Sequence, residues 1–212
     1  MNEKFFDLKK EKQDRMINAA LKVFALNGYR HASTDDIVRE AAISKGLLFH
    51  YFENKLGVYA FVYDYSVRYL LLELSTAVDA KETDLFTLMQ QVETGKMHAM
   101  CGYPYLQPFL NRAQAENVNE ALAAVEERKQ QMEEAYENIY ARADLGKYAA
   151  AEDVVKLRKM MELTIKGLMN ERILEDAFQP EMLYEEILEY LQLSRRLAER
   201  SGQPSDEEIT EK

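Results

Sequence analysis

Apolar residues recur at spacings of three and four along almost the whole chain, which is the period of an amphipathic α-helix. Strand signals are sparse, and four prolines and eight glycines in 212 residues leave long stretches without helix breakers. The pattern therefore predicts an all-α protein of about nine helices. After a loose arm at 1–7, we expect them at about 8–27, 34–41, 45–52, 54–78, 85–100, 105–112, 118–146, 151–176 and 181–200.

The segment 34–55 is predicted to form two short helices joined by a tight turn. Ser33 or Thr34 can cap the first helix and Ser44 the second, since each side-chain oxygen can accept a backbone N–H that the helix leaves unpaired. The apolar residues expected on the inner faces are Ile37, Val38, Ala41, Leu48 and Phe52. Two short helices with so little chain between them are typical of a helix-turn-helix, whose second helix can enter the major groove of DNA.

The formal net charge of −10 argues against a nucleic-acid partner until its distribution is considered. Residues 1–55 contain ten Lys and Arg against eight Asp and Glu, a net charge of +2, whereas residues 56–212 contain seventeen against twenty-nine, a net charge of −12. A mildly basic segment on an acidic remainder is compatible with one face that meets DNA. Simple solvation of charged helix faces is the alternative explanation, and the balance of charge alone does not decide between them.

Several classes of protein are disfavoured by the sequence. No run of about 18 apolar residues is present, so we expect no membrane span, and the N-terminus lacks the features of a secretory signal. A single cysteine, Cys101, excludes an intrachain disulfide and fits a reducing cytoplasm. His98 can share a helix face with Cys101, but two residues are not a metal site, and no nucleophile or phosphate-loop motif is present. We therefore expect no enzymatic activity, no cofactor and no metal.

The first quarter of the chain resembles the tetracycline-repressor (TetR) family of transcriptional regulators. The resemblance covers about residues 10–65 and is carried by I-N-A-A-L-K-V-F-A-L-N-G-Y, A-S-T-D-D-I-V-R-E-A, I-S-K-G-L-L-F-H-Y-F and N-K, in that order. It implies a three-helix DNA-binding domain, placed at 1–53, and a helical ligand-binding and dimerisation domain, placed at 54–200. A polar tail follows at 201–212. The resemblance also implies a homodimer and a pocket for a small-molecule inducer.

The same resemblance implies which residues meet double-stranded DNA. They are Thr34, Ser44, Lys45, Gly46, Leu47, His50, Tyr51 and Lys55. Thr34 and Lys55 match phosphate-contacting positions, and the missing side chain of Gly46 lets the backbone approach DNA closely. The chain departs from the family pattern at Phe49, which lacks the hydroxyl of the frequent tyrosine, and at Ala42, which replaces a turn glycine.

A region dense in aromatic residues and methionine is the candidate ligand pocket. Its members are Tyr65, Tyr69, Phe86, Met89, Met97, Met100, Tyr103, Tyr105 and Phe109. Such side chains line adaptable pockets, although core packing is the alternative role for most of them. The proline-broken stretch 102–109 is expected to form a mobile wall, and Asp64, Glu73 and Glu93 favour a cationic lipophilic ligand.

Each of the last two predicted helices carries one apolar stripe. The stripe residues are Val154, Leu157, Met161, Ile165 and Leu168 in one helix and Leu183, Ile187 and Leu191 in the other. Two such helices from each of two chains make a four-helix bundle, which the resemblance favours as the dimer interface. The alternative is that both stripes pack only within one chain.

Together these features predict a one-component transcriptional repressor that binds a palindromic operator as a dimer. A small apolar or amphipathic inducer in the C-terminal domain would release it, with the helix at 54–78 as the link to the DNA-binding domain. Two alternatives stay open: a regulator controlled by a protein partner or by its own abundance, and a helical binding protein that does not use its DNA-binding domain.

Overall fold

The structure, a computed structural model, describes residues 3–148, 150–174 and 178–200, and these residues form helices and turns without a strand. In these ranges a short 3-10 helix at Glu3–Asp7 precedes nine α-helices: α1 (Lys10–His31), α2 (Thr34–Glu40), α3 (Lys45–Phe52), α4 (Lys55–Ala77), α5 (Leu85–Gly102), α6 (Leu106–Gln114), α7 (Asn119–Tyr140), α8 (Ala151–Arg172) and α9 (Pro180–Arg200). The all-α prediction is confirmed. None of these helices is both long and apolar enough to cross a membrane. The predicted polar tail at 201–212 lies outside the described residues.

Several helix ends differ from their predicted positions, those of α1 and α7 among them. α1 is kinked at Gly28, whose φ of 67° lies in the left-handed region, and helical structure then resumes as far as His31. Glycine tolerates this conformation because it has no Cβ. α7 ends at Tyr140, short of its predicted end, and the chain turns so that the backbone N–H of Asp144 donates to the Thr83 carbonyl at 2.8 Å.

The predicted loose arm is wrong for residues 3–7, the part that the structure describes. Phe5 is 0% exposed, and its ring centroid lies 5.8 Å from Tyr51, 5.2 Å from Phe52 and 4.9 Å from Phe61. The side-chain amide of Gln13 donates to two backbone carbonyls after Phe5, at 3.0 and 2.7 Å. Burial of a phenylalanine side chain is worth about 1.5–3 kcal/mol, and with the two Gln13 hydrogen bonds it helps to hold this segment against the core.

The larger apolar core joins α1–α4 to α6, α7 and parts of α5. Phe24 of α1, Tyr59 of α4 and Phe109 of α6 meet at its centre, with ring centroids 5.1 to 6.1 Å apart. This core runs across the predicted boundary at residues 53 and 54, so the first three helices pack directly on the rest of the chain. The proposed division into two domains stays a prediction.

A second apolar core forms between α5, α8 and α9. It contains seven of the eight residues that were predicted to form a dimer interface (Val154, Met161, Ile165, Leu168, Leu183, Ile187 and Leu191), while Leu157 is half-buried against it. Their assignment to a dimer interface is therefore corrected. These stripes pack α8 and α9 against α5 of the same chain, and any dimer must use other faces of the two helices.

Asp84 ties the start of α5 to α9 and to the turn before α8. Its carboxylate accepts the backbone N–H of Thr87 at 2.8 Å, an ammonium N–H of Lys147 at 2.5 Å and a guanidinium N–H of Arg195. Burial alone would raise the pKa of this carboxyl, but the hydrogen bonds and the charge of Arg195 outweigh burial and lower the pKa to about 2. Asp84 is therefore a carboxylate throughout the neutral range.

Candidate nucleic-acid interface

The hairpin of α2 and α3 is fixed by the caps that its sequence predicts. Ser33 Oγ accepts the backbone N–H of Asp35 at 3.1 Å, and Ser44 Oγ accepts that of Leu47 at 3.2 Å. The turn between the helices places Ala42 at φ 50°, the left-handed conformation in which a glycine would be less strained. Capping and turn together set the direction of α3.

One face of α3 anchors the helix and the opposite face points outward. Leu48 and Phe52 are buried in the larger core, whereas Lys45, Gly46 and His50 are exposed. The other predicted contact residues lie at the margin of the outward face: Thr34, Leu47 and Tyr51 are half-buried and Ser44 is exposed. The structure therefore brings most of the predicted DNA-contacting residues to one side of the hairpin.

Gly46 has no structural requirement for glycine within the chain. A Cβ built on it would meet no atom of the described residues within 4 Å, and its φ is not in the left-handed region. Glycine in a helix costs about 0.5–1 kcal/mol relative to alanine. Its place on an exposed helical surface is therefore more easily explained by a close approach of another molecule than by folding.

Lys45 keeps much of its positive charge in solvent. Its ammonium lies 2.8 Å from an Asp35 carboxylate oxygen, and both side chains are more than half exposed. An ion pair this exposed is worth at most about 1 kcal/mol, so a phosphate can displace the carboxylate at little cost. The second predicted cation of the site behaves differently.

Lys55 is turned toward the protein rather than toward solvent. Its ammonium donates to the Tyr29, Arg30 and Ala32 carbonyls at 2.9, 3.4 and 3.3 Å, and it lies 4.4 Å from the centroid of the Tyr29 ring. All three donors of the ammonium are thus engaged at the C-terminal end of α1. A phosphate contact would require Lys55 to leave these carbonyls, so the structure favours a role in fixing α4 against α1.

Comparisons with known proteins relate this hairpin to bacterial transcriptional regulators. Residues 16–60 match the family of bacterial regulatory proteins described as the tetR family. A TetR family transcriptional regulator from Chloroflexus aurantiacus J-10-FL shares the fold with a TM-score of 0.55, at 22% identity over 93% of this chain and 93% of that one. The segment 16–60 therefore matches the tetR family, and the chain shares its fold with a TetR family regulator.

Two curated relatives are similar to this chain over shorter segments. The uncharacterized HTH-type transcriptional regulator YuxN of Bacillus subtilis is 36% identical over 78 residues, 35% of this chain and 26% of that protein. The uncharacterized HTH-type transcriptional regulator TtgW of Pseudomonas putida is 41% identical over 49 residues, 23% of this chain and 37% of that protein. The matched segments thus span about a quarter of YuxN and somewhat more than a third of TtgW.

The residues predicted to form a ligand pocket do not surround one cavity in the described part of the chain. Phe109 lies in the larger core, and Phe86, Met89 and Met100 lie in the second. Tyr65, Tyr69 and Tyr103 pack on one another, and Met97 and Tyr105 are half-buried elsewhere. Core packing, the alternative role, describes most of this set.

The tyrosine group connects α1 to the helices behind it. Tyr103 Oη donates to Asp14 on α1 at 2.6 Å and lies 2.6 Å from Tyr65 Oη on α4. Lys10 donates to Tyr103 Oη at 3.0 Å. At the other end of α1, Tyr29 donates through its backbone N–H to Glu116 at 2.9 Å. Both ends of α1 are therefore held by hydrogen bonds to residues outside the helix-turn-helix.

Two of the three acidic residues predicted to attract a cationic ligand are already paired with cations. Asp64 accepts hydrogen bonds from Arg128 and, at 3.2 Å, from Arg68. Glu93 lies 2.7 Å from the Lys96 ammonium. With these charges neutralised locally, the structure gives no support to a site for a lipophilic cation.

The cysteine and histidine of α5 point to different partners. Cys101 Sγ lies 3.2 Å from a Glu181 carboxylate oxygen, whereas His98 Nδ1 lies 3.9 Å from Glu73. Burial and the Glu181 carboxylate raise the pKa of the Cys101 thiol to about 11, so it is protonated at neutral pH and a poor nucleophile. Among the described residues no group of three His, Cys, Asp or Glu side chains could hold a metal ion.

A cavity of about 200 Å³ between α5, α6, α7 and α8 is the feature that sequence reasoning missed. Of the predicted pocket residues, only Met89 lines it. Its other walls include Glu93, Lys96, Gln107 and Tyr136. Glu93 and Gln107 fall within the region predicted to form the pocket. Polar residues within helices are ordinarily interpreted as solvent-facing, so the pattern does not indicate that Lys96 and Tyr136 converge with them.

Proposed function

We propose that the chain is a DNA-binding transcriptional repressor that inserts α3 into the major groove of an operator. The observation that carries the proposal is the outward face of α3, where Lys45, Gly46 and His50 are exposed on a helix anchored by Leu48 and Phe52. The match of residues 16–60 to the tetR family of bacterial regulatory proteins supports the same conclusion.

The proposed contacts divide into two kinds. Thr34, Ser44 and Lys45 meet phosphate oxygens, which gives affinity and register. Leu47 and His50 meet base edges, where a leucine side chain suits the methyl group of thymine and an imidazole can hydrogen-bond. Tyr51 lies at the edge of this surface, Gly46 allows the close approach, and Lys55 holds the first turn of α4 on α1.

Dimerisation is part of the proposal because one helix-turn-helix makes few contacts. Two recognition helices in successive major grooves lie about 34–36 Å apart and demand a palindromic site. The outward faces of α8 and α9 are available for this dimer, since they carry exposed apolar side chains at Val155, Met160, Leu163, Met182, Tyr190 and Leu193. Exposed apolar groups in such number are typical of an interaction surface.

Release from DNA is proposed to follow the binding of a small molecule in the C-terminal part of the chain. α6 lines the cavity with Gln107 and Asn111 and packs on α1 through Phe109, whose ring centroid lies 6.1 Å from that of Phe24. A shift of α6 therefore reaches α1 without passing along α4, the link predicted from sequence. The ligand must bind the released state more tightly, because equal affinity for both states shifts nothing.

The test of the proposed function is a binding measurement on duplexes that tile the DNA upstream of the chain's own gene. At about 150 mM salt, we expect one duplex to bind at least 10³-fold more tightly than random DNA, the lower end of the usual specificity range. Lys45→Met should weaken binding and lower the salt dependence by about one counterion. Equal affinity for every duplex would mean that the chain is not a sequence-specific regulator.

A further inference from the structure

The cavity between α5 and α8 has a wall chemistry unlike that predicted from the aromatic residues. We infer that it binds a small amino or hydroxy acid, a molecule with a carboxylate and at least one further N–H or O–H donor. The site itself is argued from the cavity alone, and only its effect on DNA binding rests on the proposed function.

A buried ion pair forms one wall. Lys96 Nζ lies 2.7 Å from Glu93 Oε1, with the two side chains only 17% and 6% exposed. Burial acts to lower the pKa of Lys96, but the adjacent Glu93 carboxylate outweighs it and the pKa is raised, so the ammonium is charged. An ammonium has three N–H donors, and Glu93 takes one of them. Within the described part of the chain, two donors remain for a ligand oxygen.

Two buried polar atoms face the cavity without a hydrogen-bond partner in the described part of the chain. They are Gln107 Oε1 and Tyr136 Oη. Gln107 is only 5% exposed, and an unsatisfied buried group costs about 1–3 kcal/mol. Since folding gains nothing from this cost, binding is the more direct explanation.

The orientation of the amides does not remove the unsatisfied atom. Gln107 Nε2 donates to Asn111 Oδ1 at 2.9 Å, and Asn111 Nδ2 lies 3.2 Å from the weak acceptor Met169 Sδ. Exchanging O and N in both amides would reverse the hydrogen bond and leave Gln107 with an unpaired N–H₂ instead. In either orientation Gln107 presents a free polar atom to the cavity.

The charge of the lining favours an anionic group on the ligand. Three cations line the cavity (Lys96, Arg158 and Lys166) against two carboxylates (Glu93 and Glu162), which leaves one positive charge. Arg158 Nε donates to Glu162 at 3.0 Å, so this cation is already paired. A ligand carboxylate can accept from the free donors of Lys96 and from Tyr136 Oη, while a ligand hydroxyl or ammonium can donate to Gln107 Oε1.

Size sets the remaining limit. A volume of about 200 Å³ corresponds to roughly seven waters at their liquid volume of about 30 Å³ each. Met89, Ile165 and Met169 supply an apolar wall that can accommodate a short side chain. Amino and hydroxy acids have this size and this combination of groups, whereas long acyl chains and polycyclic drugs exceed it.

The experiment is a ligand-observed NMR screen of the full chain with two sets of probes. The polar set contains the twenty standard amino acids with lactate, malate and citrate, and the apolar set contains benzene, indole and octanoate. We expect at least one polar probe to bind and to raise the melting temperature. Binding of the apolar set alone, or of no polar probe, would overturn the inference.

Tyr136→Phe separates a ligand contact from a structural role. Because the hydroxyl has no protein partner in the described residues, its removal should leave the melting temperature equal or higher, yet weaken the bound probe at least tenfold. Tyr184→Phe is the matched control, since Tyr184 Oη lies 2.7 Å from Thr94 Oγ1, outside the cavity lining, and its loss should not change probe affinity. Equal weakening by both variants, or no weakening by Tyr136→Phe, would contradict the assignment.

DNA affinity with and without the bound probe distinguishes this inference from the proposed function. We expect the probe to weaken binding to the preferred duplex at least tenfold. If a probe binds in a way that Tyr136→Phe weakens and yet leaves DNA affinity unchanged, that result supports the cavity assignment and refutes the proposal that a ligand releases the chain from DNA. If the chain binds no DNA sequence specifically, the proposed regulatory function is refuted, but the inference about the cavity is unaffected.

Discussion

Replacing Lys55 by methionine tests whether this residue holds the fold or meets DNA. The substitution keeps most of the aliphatic stem but removes the ammonium that donates to three carbonyls at the end of α1. Only the Tyr29 contact, at 2.9 Å, has an ordinary hydrogen-bond length, so we count one strong charged hydrogen bond and two weak ones. The ammonium also lies 4.4 Å from the Tyr29 ring centroid.

The expected cost follows from these contacts. A hydrogen bond from a charged group contributes about 1.5–3 kcal/mol, and a cation–π contact at a partly exposed site about 0.5–1 kcal/mol. Part of the loss is recovered as water reaches the carbonyls, so we expect Lys55→Met to lower the free energy of unfolding by about 2 kcal/mol. For a chain of this size that is a fall of about 4–8 °C in melting temperature.

Urea unfolding and the salt dependence of DNA binding, measured on the same protein, separate the two roles. Lys55→Met should lose stability and keep the salt slope of the wild type. Lys45→Met is the matched control: its exposed ion pair with Asp35 contributes little to folding, so it should change stability by less than about 0.5 kcal/mol and reduce the salt slope by about one. An unchanged stability with a reduced salt slope for Lys55→Met would refute our interpretation and restore the phosphate contact.

Three further substitutions have expected outcomes. Gly46→Ala should raise the melting temperature slightly, since the new methyl meets nothing within 4 Å, and weaken DNA binding at least tenfold in an anisotropy titration; unchanged DNA affinity would show that no close approach occurs there. Leu163→Glu should give monomers by analytical ultracentrifugation with unchanged helicity, whereas the control Leu72→Glu, another exposed leucine, should not; a dimer in both would place the interface elsewhere. Asp84 has a pKa lowered from 3.8 to about 2, so its contribution is complete above about pH 4 and is lost as pH falls through about 2. Asp84→Asn should therefore remove about 2 kcal/mol of the stability that the wild type loses on acidification, and parallel curves of unfolding free energy against pH would contradict this.

The helices and the helix-turn-helix could be predicted from sequence because their signals are local. Ser44 and Asn54 each precede a helix and accept its early N–H groups, and the apolar spacing identifies Leu48 and Phe52 as the anchor of α3. These features depend only on neighbours within one or two turns. The position of Phe5 could not be predicted in this way, because its partners lie far along the chain.

The dimer and pocket residues were misassigned because periodicity does not say what an apolar face meets. α9 has an inner stripe of Leu183, Ile187 and Leu191, which packs within the chain, and an outer group that includes Tyr190 and Leu193. The sequence pattern favours the stronger inner stripe as the dimer interface and does not identify the weaker outer group. A buried core inside one chain and a buried interface between two chains have the same sequence pattern.

The buried polar side chains of the cavity were also difficult to predict from the sequence. Lys96 follows Glu93 by three residues on α5 and would be assigned to a solvated helix face, yet the two side chains form a buried ion pair beside Gln107 of α6 and Tyr136 of α7. Their convergence depends on how four helices pack, which no local pattern specifies. The tyrosines that suggested a pocket instead pack on one another between α4 and the end of α5.

Selection of binding sites from a random pool of duplex DNA tests the central claim most directly. The wild-type chain should enrich an inverted repeat whose half-sites are centred about one helical turn, or a multiple of it, apart. The variant His50→Ala should enrich a repeat of the same spacing with altered or relaxed bases within each half-site, because α3 is proposed to read those bases. A pool that stays random after selection by the wild type, or an identical half-site sequence from both proteins, would contradict the assignment of base recognition to His50 and the outward face of α3.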